Sequence, residues 1–191
     1  TVEDAFAGFD FPVSNPQAGV GHGITELLPG IGGGATIARV VHATTLFSNA
    51  VIERRGAKTA LITTMGFRDT LELGRERKYD IYDLFLSFPS PLVERSMRLE
   101  TAERIAADGT ILTPLDEAGV VEAADKLVAA GAESIAVAFL NAHVDSRHEE
   151  RAGTLIRSRH PDLSVTLSSE VSRESGEFER TSTAVINAFI K

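Results

Sequence analysis

ARVVHATTLFSNAVIERRGAKTALITT, residues 38–64, is the stretch whose reading decides the fold. Its opening, ARVVHA, is a short β-branched run. TTLFSNAVIERRG then carries Leu46, Phe47, Ala50, Val51 and Ile52 at helical spacing, and KTALITT is a second buried run. Thr44 or Thr45 is expected to cap the helix, and Gly56 to end it in the left-handed conformation. Strand, helix and strand at this spacing form the crossover unit of a parallel pair.

Working outward toward the carboxyl end, residues 65–95 read as loops, with two prolines in FPSPLVER favouring extended chain. MRLETAERI (97–105) alternates as a strand, and ADGT (107–110) is a turn on Asp108 and Gly109. ILTPLD (111–116) resumes extended chain, which predicts a β-hairpin. DEAGVVEAADKLVAAG (116–131) is a helix with Asp116 as cap, Val120, Ala124, Leu127 and Val128 as its apolar stripe, and Gly131 as its stop. ESIAVAFLNA (133–142) is nearly all apolar, the mark of a strand covered on both faces. SRHEERAGTLIRSRHP (146–161) reads as a polar-faced helix, LSVTLSSEV (163–171) as a strand, and GEFERTSTAVINAFIK (176–191) as a closing helix. The fold class is therefore α/β, a mostly parallel sheet with crossover helices and a β-hairpin insertion.

Toward the amino end the patterning is weak. Residues 1–35 read as a lead-in of a short strand, a turn and one helical segment around Gly19 to Leu28, and residues 38–191 as the α/β body of a single domain. Gly32 to Gly34 lack the spacing of a phosphate loop and read as a connector. The chain opens without methionine and stops inside a helical pattern, which predicts a piece of a longer polypeptide, cut at both ends.

Twenty-seven acidic against 19 basic side chains leave a formal net charge of −8, which argues against nucleic acid and anionic lipid as partners. The basic group Arg75, Arg77 and Lys78 reads either as a solvated loop or as a holder of one anionic ligand. The absence of cysteine removes disulfides, thiolate metal sites and a cysteine nucleophile, and suits a cytoplasmic setting. No apolar run approaches the roughly 20 residues of a spanning helix.

Chemistry-bearing residues cluster in VHATTLFSNA, at the carboxyl end of the first inferred strand, where open α/β sheets place ligands. His42 suits proton transfer, and Thr44 and Thr45 with the helix-start amides suit a carbonyl or phosphate oxygen. The competing reading is a helix cap beside a buried histidine. HVDSRHEE (143–150) is the densest metal-capable stretch, set against a plain polar helix start capped by Asp145 or Ser146. Glu174, Glu177, Glu179 and Arg180 allow i, i+3 pairing, or simply a solvent-facing helix start.

The order of these segments resembles the N-terminal domain of the hydantoinase A/5-oxoprolinase family. The resemblance is carried by residues 42–84, 91–117, 131–149, 163–171 and 177–189. The family pattern H-G-T-T-x-x-x-N followed by T-x-G-F-R-D is met by His42, Thr44, Thr45 and Asn49, then Thr64, Gly66, Phe67, Arg68 and Asp69. Ala43 stands where the family has glycine, and its methyl narrows any close backbone approach to a ligand. Thr1 and Asp4 resemble the end of the family's D-x-G-G-T-x-T-D phosphate loop, with Val2 and Glu3 departing from it.

The resemblance implies a fold related to actin-like ATPase domains and an ATP-dependent hydrolase of cyclic amide C–N bonds, with ATP and Mg activating the amide oxygen. It implies His42, Thr44 and Thr45 as catalytic, and Asn49, Arg68, Asp69, Arg75, Arg180, Thr181, Thr1 and Asp4 as substrate- or nucleotide-binding. Any other metal is left open. The implied partners are the remainder of the same polypeptide, a hydantoinase B-type subunit or region, and a small-molecule substrate, so that the piece alone is expected to be inactive. Two rivals stand beside this reading: the ATP-using subunit of an acetone- or acetophenone-type carboxylase, and a non-catalytic assembly module.

Overall fold

The computed structural model describes Thr25, residues 46–75, 82, 83, 85 and 89–190. The chain divides into two compact units, Thr1–Thr44 and Thr45–Lys191, and the architecture below is that of the second. The expected strand ARVVHA, the caps Thr44 and Thr45, the glycines 32–34, and Arg77 and Lys78 lie outside the described residues. Of the segment expected to be helical around Gly19 to Leu28, Thr25 alone is described, and it is helical.

Helix α1 (Leu46–Ile52) leads to β1 (Thr59–Thr64), which is buried along its whole length. A short helix α2 (Thr70–Leu73) and a 3-10 turn (Arg95–Met97) precede β2 (Arg98–Thr101). A hairpin of β3 (Arg104–Ile105) and β4 (Ile111–Thr113) follows, then α3 (Glu117–Ala129) and β5 (Ser134–Ala138). The chain continues through α4 (Arg147–Arg159), β6 (Ser164–Leu167), α5 (Ser168–Val171) and α6 (Glu177–Phe189).

Four strands form one parallel sheet in the order β2-β1-β5-β6, and β3 with β4 make a separate antiparallel pair. Thr64 is in register with Thr101, and Thr63 with Ala138, so the carboxyl ends of β1, β2 and β5 form one edge. The chain leaves β1 toward β2 on one side and returns past it to β5 on the other. The boundary between β1 and β5 is thus the topological switch point, where loops diverge and leave room for a ligand.

Helices α3 and α4 pack on each other and over the sheet, while α6, with α2 and α5 beside it, packs against β1, β5 and β6. The apolar runs TALITT and SIAVA are covered on both sides, as a central parallel strand requires. Asp116 accepts the Gly119 N–H at 3.0 Å as the cap of α3, and Val120, Ala123, Ala124 and Leu127 are buried. Closing Val120 and Leu127 away from water contributes about 1.5–3 kcal/mol each. Gly131 stops this helix with a φ of 88°, as expected.

Several sequence expectations are corrected. The left-handed residue after α1 is Arg54, with a φ of 53°, and not Gly56. Gly56 serves close approach instead, since a Cβ there would lie 2.4 Å from the carbonyl oxygen of Phe189. The strand expected over 97–105 is two strands, because the chain turns out of the parallel sheet at Ala102 and Glu103 to enter the hairpin. LSVTLSSEV is a strand only to Leu167; Ser168 and Ser169 start helix α5 because their hydroxyls and the Ser169 amide bond to Glu149 rather than to a neighbouring strand.

Candidate functional site

The carboxyl edge of the sheet carries a network of sealed polar groups. Glu149, in the first turn of α4, is fully buried. Its Oε1 accepts the backbone N–H of Phe139 at 2.8 Å and the Ser168 hydroxyl at 2.5 Å. Its Oε2 accepts the Ser169 N–H at 2.8 Å and the Ser169 hydroxyl at 2.7 Å. Burial pushes the Glu149 carboxyl above its ordinary range, against the lowering pull of these donors. The effect is to tie the end of β5 to the start of α5.

Arg180, in the first turn of α6, is the second hub and is also fully buried. Its Nε donates to the Ser168 hydroxyl oxygen at 3.1 Å, and one terminal nitrogen donates to the Phe139 carbonyl at 2.7 Å and to Glu177 at 2.6 Å. The other donates to the Glu174 carbonyl at 3.0 Å and reaches His143 Nδ1 at 3.4 Å. A guanidinium can only donate, so Nδ1 of His143 accepts and its ring proton sits on Nε2. The solvent-facing reading of this helix start is therefore wrong for Arg180, because it lies in line with the buried Ala184, Val185 and Ala188.

A third group lies where β1 ends. Thr64 donates its hydroxyl to Glu103, and Leu140 N donates to Thr64 Oγ1 at 2.9 Å. The other oxygen of Glu103 is 2.8 Å from His148 Nδ1. Both Glu103 and His148 are buried, against the expectation of a plain polar helix start at HVDSRHEE. Nor does Ser146 make a side-chain cap for α4, whereas Asp145 accepts the Arg147 N–H at 3.0 Å.

The site residues expected from sequence fall into two described groups, one described residue that stands apart, and a set outside the described residues. Arg68 and Asp69 follow β1: Arg68 N–H donates to Glu100 at 3.3 Å and its side chain donates to the Arg95 carbonyl at 2.7 Å, while its Nε is sealed without a partner. Asp69 receives a two-pronged pair from Arg95 at 2.9 and 3.1 Å, which holds its carboxyl below the usual range. Arg75 donates to Glu179 at 2.6 Å, so Arg75 and Arg180 both join the first turn of α6. Thr181 is buried next to Arg180, and Asn49 is exposed on α1. Thr1, Asp4, His42, Thr44 and Thr45 lie outside the described residues.

Beside Arg68 an open cleft of about 340 Å³ lies at the carboxyl end of β2 and along α3, with Met65, Glu100, Asp116 and Lys126 also on its walls. Among the described residues no three carboxylate or imidazole groups converge as a metal site. Arg68 is the arginine on these walls, while Arg75, Arg95 and Arg98 donate to Glu179, Asp69 and the Val93 carbonyl. Sequence reasoning passed over Glu103, and took His148 and Glu149 only as part of a metal-capable stretch or a plain polar helix start, not as buried hubs. The available signal was spacing: Glu149 stands on the same stripe as the buried Ala152, Gly153 and Ile156.

A parallel, helix-covered four-stranded sheet with an antiparallel hairpin beside it defines an α/β domain. The model for the hydantoinase/oxoprolinase N-terminal region matches residues 10–160, and the chain belongs to that family. It is 34% identical to caprolactamase subunit alpha of Pseudomonas jessenii over 78% of this chain and 22% of that protein. It is 32% identical to the acetophenone carboxylase gamma subunit of Aromatoleum aromaticum over 100% of this chain and 27% of that protein. Among solved structures it is similar to the ATP-dependent caprolactamase of Pseudomonas jessenii, with a TM-score of 0.79 and 31% identity over 92% of this chain and 26% of that one. The chain thus spans about a quarter of the length of these relatives.

Proposed function

We propose that this chain is the N-terminal domain of an ATP-dependent cyclic-amide hydrolase of the hydantoinase/5-oxoprolinase type, working in the cytoplasm. The observation that carries the reading is its likeness to an ATP-dependent caprolactamase across 92% of the chain. A relative named 5-oxoprolinase, from Saccharomyces cerevisiae, supports the same class of substrate at 30% identity over 77% of this chain. ATP, as co-substrate with Mg, supplies the activation of an amide oxygen that makes a resistant C–N bond open to water.

In this reading His42, Thr44 and Thr45 do catalytic work, while Asn49, Arg68, Asp69, Arg75, Thr181, Thr1 and Asp4 hold substrate or nucleotide. For Arg180 the role is positioning, since its donors are all spent on protein groups. The rest of the polypeptide and a B-type subunit complete the enzyme. A carboxylase subunit is the second reading, favoured by the match of the entire chain to the acetophenone carboxylase gamma subunit.

The deciding experiment uses the full-length protein with its partner subunit, and measures ATP hydrolysis stimulated by 5-oxoproline, hydantoin, caprolactam, acetone and acetophenone. Stimulation by a cyclic amide with ring opening is expected, and His42→Ala should depress it while the protein stays folded. Stimulation by a ketone with bicarbonate, and by no cyclic amide, overturns the hydrolase reading in favour of the carboxylase.

A further inference from the structure

Glu103 is sealed, its side chain 0% exposed, and it faces two donors. Thr64 Oγ1 already accepts from Leu140 N, so its own proton goes to Glu103. A carboxylate cannot face a ring lone pair without repulsion, so Nδ1 of His148 carries a proton and donates to Glu103. The tautomer of His148 is thereby set. Among the described residues its Nε2 has no hydrogen-bond partner, and it is not one of the sealed polar atoms, so it is the ring nitrogen left open. The His148 side chain is 8% exposed, which admits one small donor group and little else.

The other charged groups of this helix start are engaged elsewhere. Asp145 is paired with Arg147, Arg151 with Glu117 of α3, and Glu150 receives the Ser146 hydroxyl. Glu149 turns inward to Phe139, Ser168 and Ser169. Glu103 is the carboxylate that holds the His148 ring.

From this geometry we propose that His148 is a proton-transfer residue for the hydrolysis, its Nε2 accepting from an O–H or N–H donor at the carboxyl edge of the sheet, with Glu103 as its positioning residue. The inference rests on the hydrolase reading above. In the step assigned to it, Nε2 takes a proton from the attacking water as the water oxygen bonds to the activated carbonyl carbon. The same proton passes to the ring nitrogen of the substrate as the C–N bond breaks, which leaves the imidazole as it began and the carbon as an acyl phosphate, from which a second water releases inorganic phosphate. A buried carboxylate behind an imidazole does this work by orienting the ring and stabilising its charged form.

The test compares the complete enzyme with its His148→Gln and Glu103→Gln variants, recording kcat and KM for both substrates across pH. His148→Gln is expected to lower kcat about a hundredfold, with little change in KM for ATP and with loss of the acidic limb of the profile. Glu103→Gln is expected to move that limb to lower pH, because removing the anion disfavours the imidazolium. A folded His148→Gln enzyme that keeps kcat and its acidic limb overturns the proposal. If the unsubstituted complete enzyme opens no cyclic amide, the hydrolase reading fails and with it the assigned reaction. Nitrogen-15 NMR of its histidines then decides the site, as it does if His148→Gln does not fold. A proton held on Nδ1 while Nε2 titrates supports the assignment, and a proton held on Nε2 overturns it.

Discussion

Glu149 reaches from the first turn of α4 to the backbone N–H of Phe139, 2.8 Å away, and so closes the end of β5 from the side. Its second oxygen does the same for Ser169 at the start of α5. Each carboxylate oxygen thus faces a backbone donor. An amide in either orientation would turn an NH2 group toward one of them. Glu149→Gln should therefore destabilise by about 1–3 kcal/mol despite its matched shape, measured by urea denaturation. A variant as stable as the parent would show that the carboxylate is not needed there.

The same carboxyl sets one limb of the stability–pH curve. Its folded pKa is raised above the ordinary 4.5 by burial. The folded state then holds that proton longer than the unfolded one, so the contribution is complete below about pH 4.5 and is lost as pH rises through the folded value. Asp69, Asp125, Asp145, Glu117 and Glu179 run the other way, since arginine partners hold each below its ordinary value. Their contributions are present at neutral pH and fade as pH falls through the acid range. Thermal melting from about pH 3 to 8 should show a maximum in mildly acidic solution. In Glu149→Gln the decline on the alkaline side should flatten while the acid limb remains.

Arg180 engages five protein groups at once through a planar fork: the Ser168 hydroxyl, the Phe139 and Glu174 carbonyls, the Glu177 carboxylate and His143 Nδ1. A lysine ammonium cannot reach all of them. Arg180→Lys should cost about 1–3 kcal/mol, and Arg180→Ala about 3–5 kcal/mol because Glu177 and buried carbonyls lose their partner. Denaturant midpoints check both. An Arg180→Lys variant as stable as the parent would mean that charge alone, and not fork geometry, matters.

Gly56 meets the last turn of α6, where Ala57 N also donates to the Phe189 carbonyl at 2.9 Å. A methyl at Gly56 has to push that turn away. Gly56→Ala should cost about 1–3 kcal/mol and raise amide exchange at Ala57. Unchanged exchange and stability would show that the contact yields freely.

The periodicity of residues 46–64 and 116–142 carried helix α1, strand β1, helix α3 and strand β5, because apolar spacing reports directly on how many faces of an element are covered. It carried the hairpin at Asp108 and Gly109 as well. The strand order β2-β1-β5-β6 was not legible, since pairing depends on contacts between segments far apart in the chain. Glu149 and Arg180 were legible only in part. Each stands on the apolar stripe of its helix, but a charge there signals burial only if donors or acceptors arrive from elsewhere.

The sequence by itself determined a parallel α/β domain, the cap and stop of helix α3, and its place among the hydantoinase/oxoprolinase N-terminal regions. Tertiary structure alone decided that His148 faces Glu103 and that Glu149 meets Ser168 and Ser169. Glu103 is 45 residues from His148, and Glu149 is about 20 from the two serines. Local propensity acts over a few residues, whereas a buried charge is tolerated only where the whole fold brings it a partner.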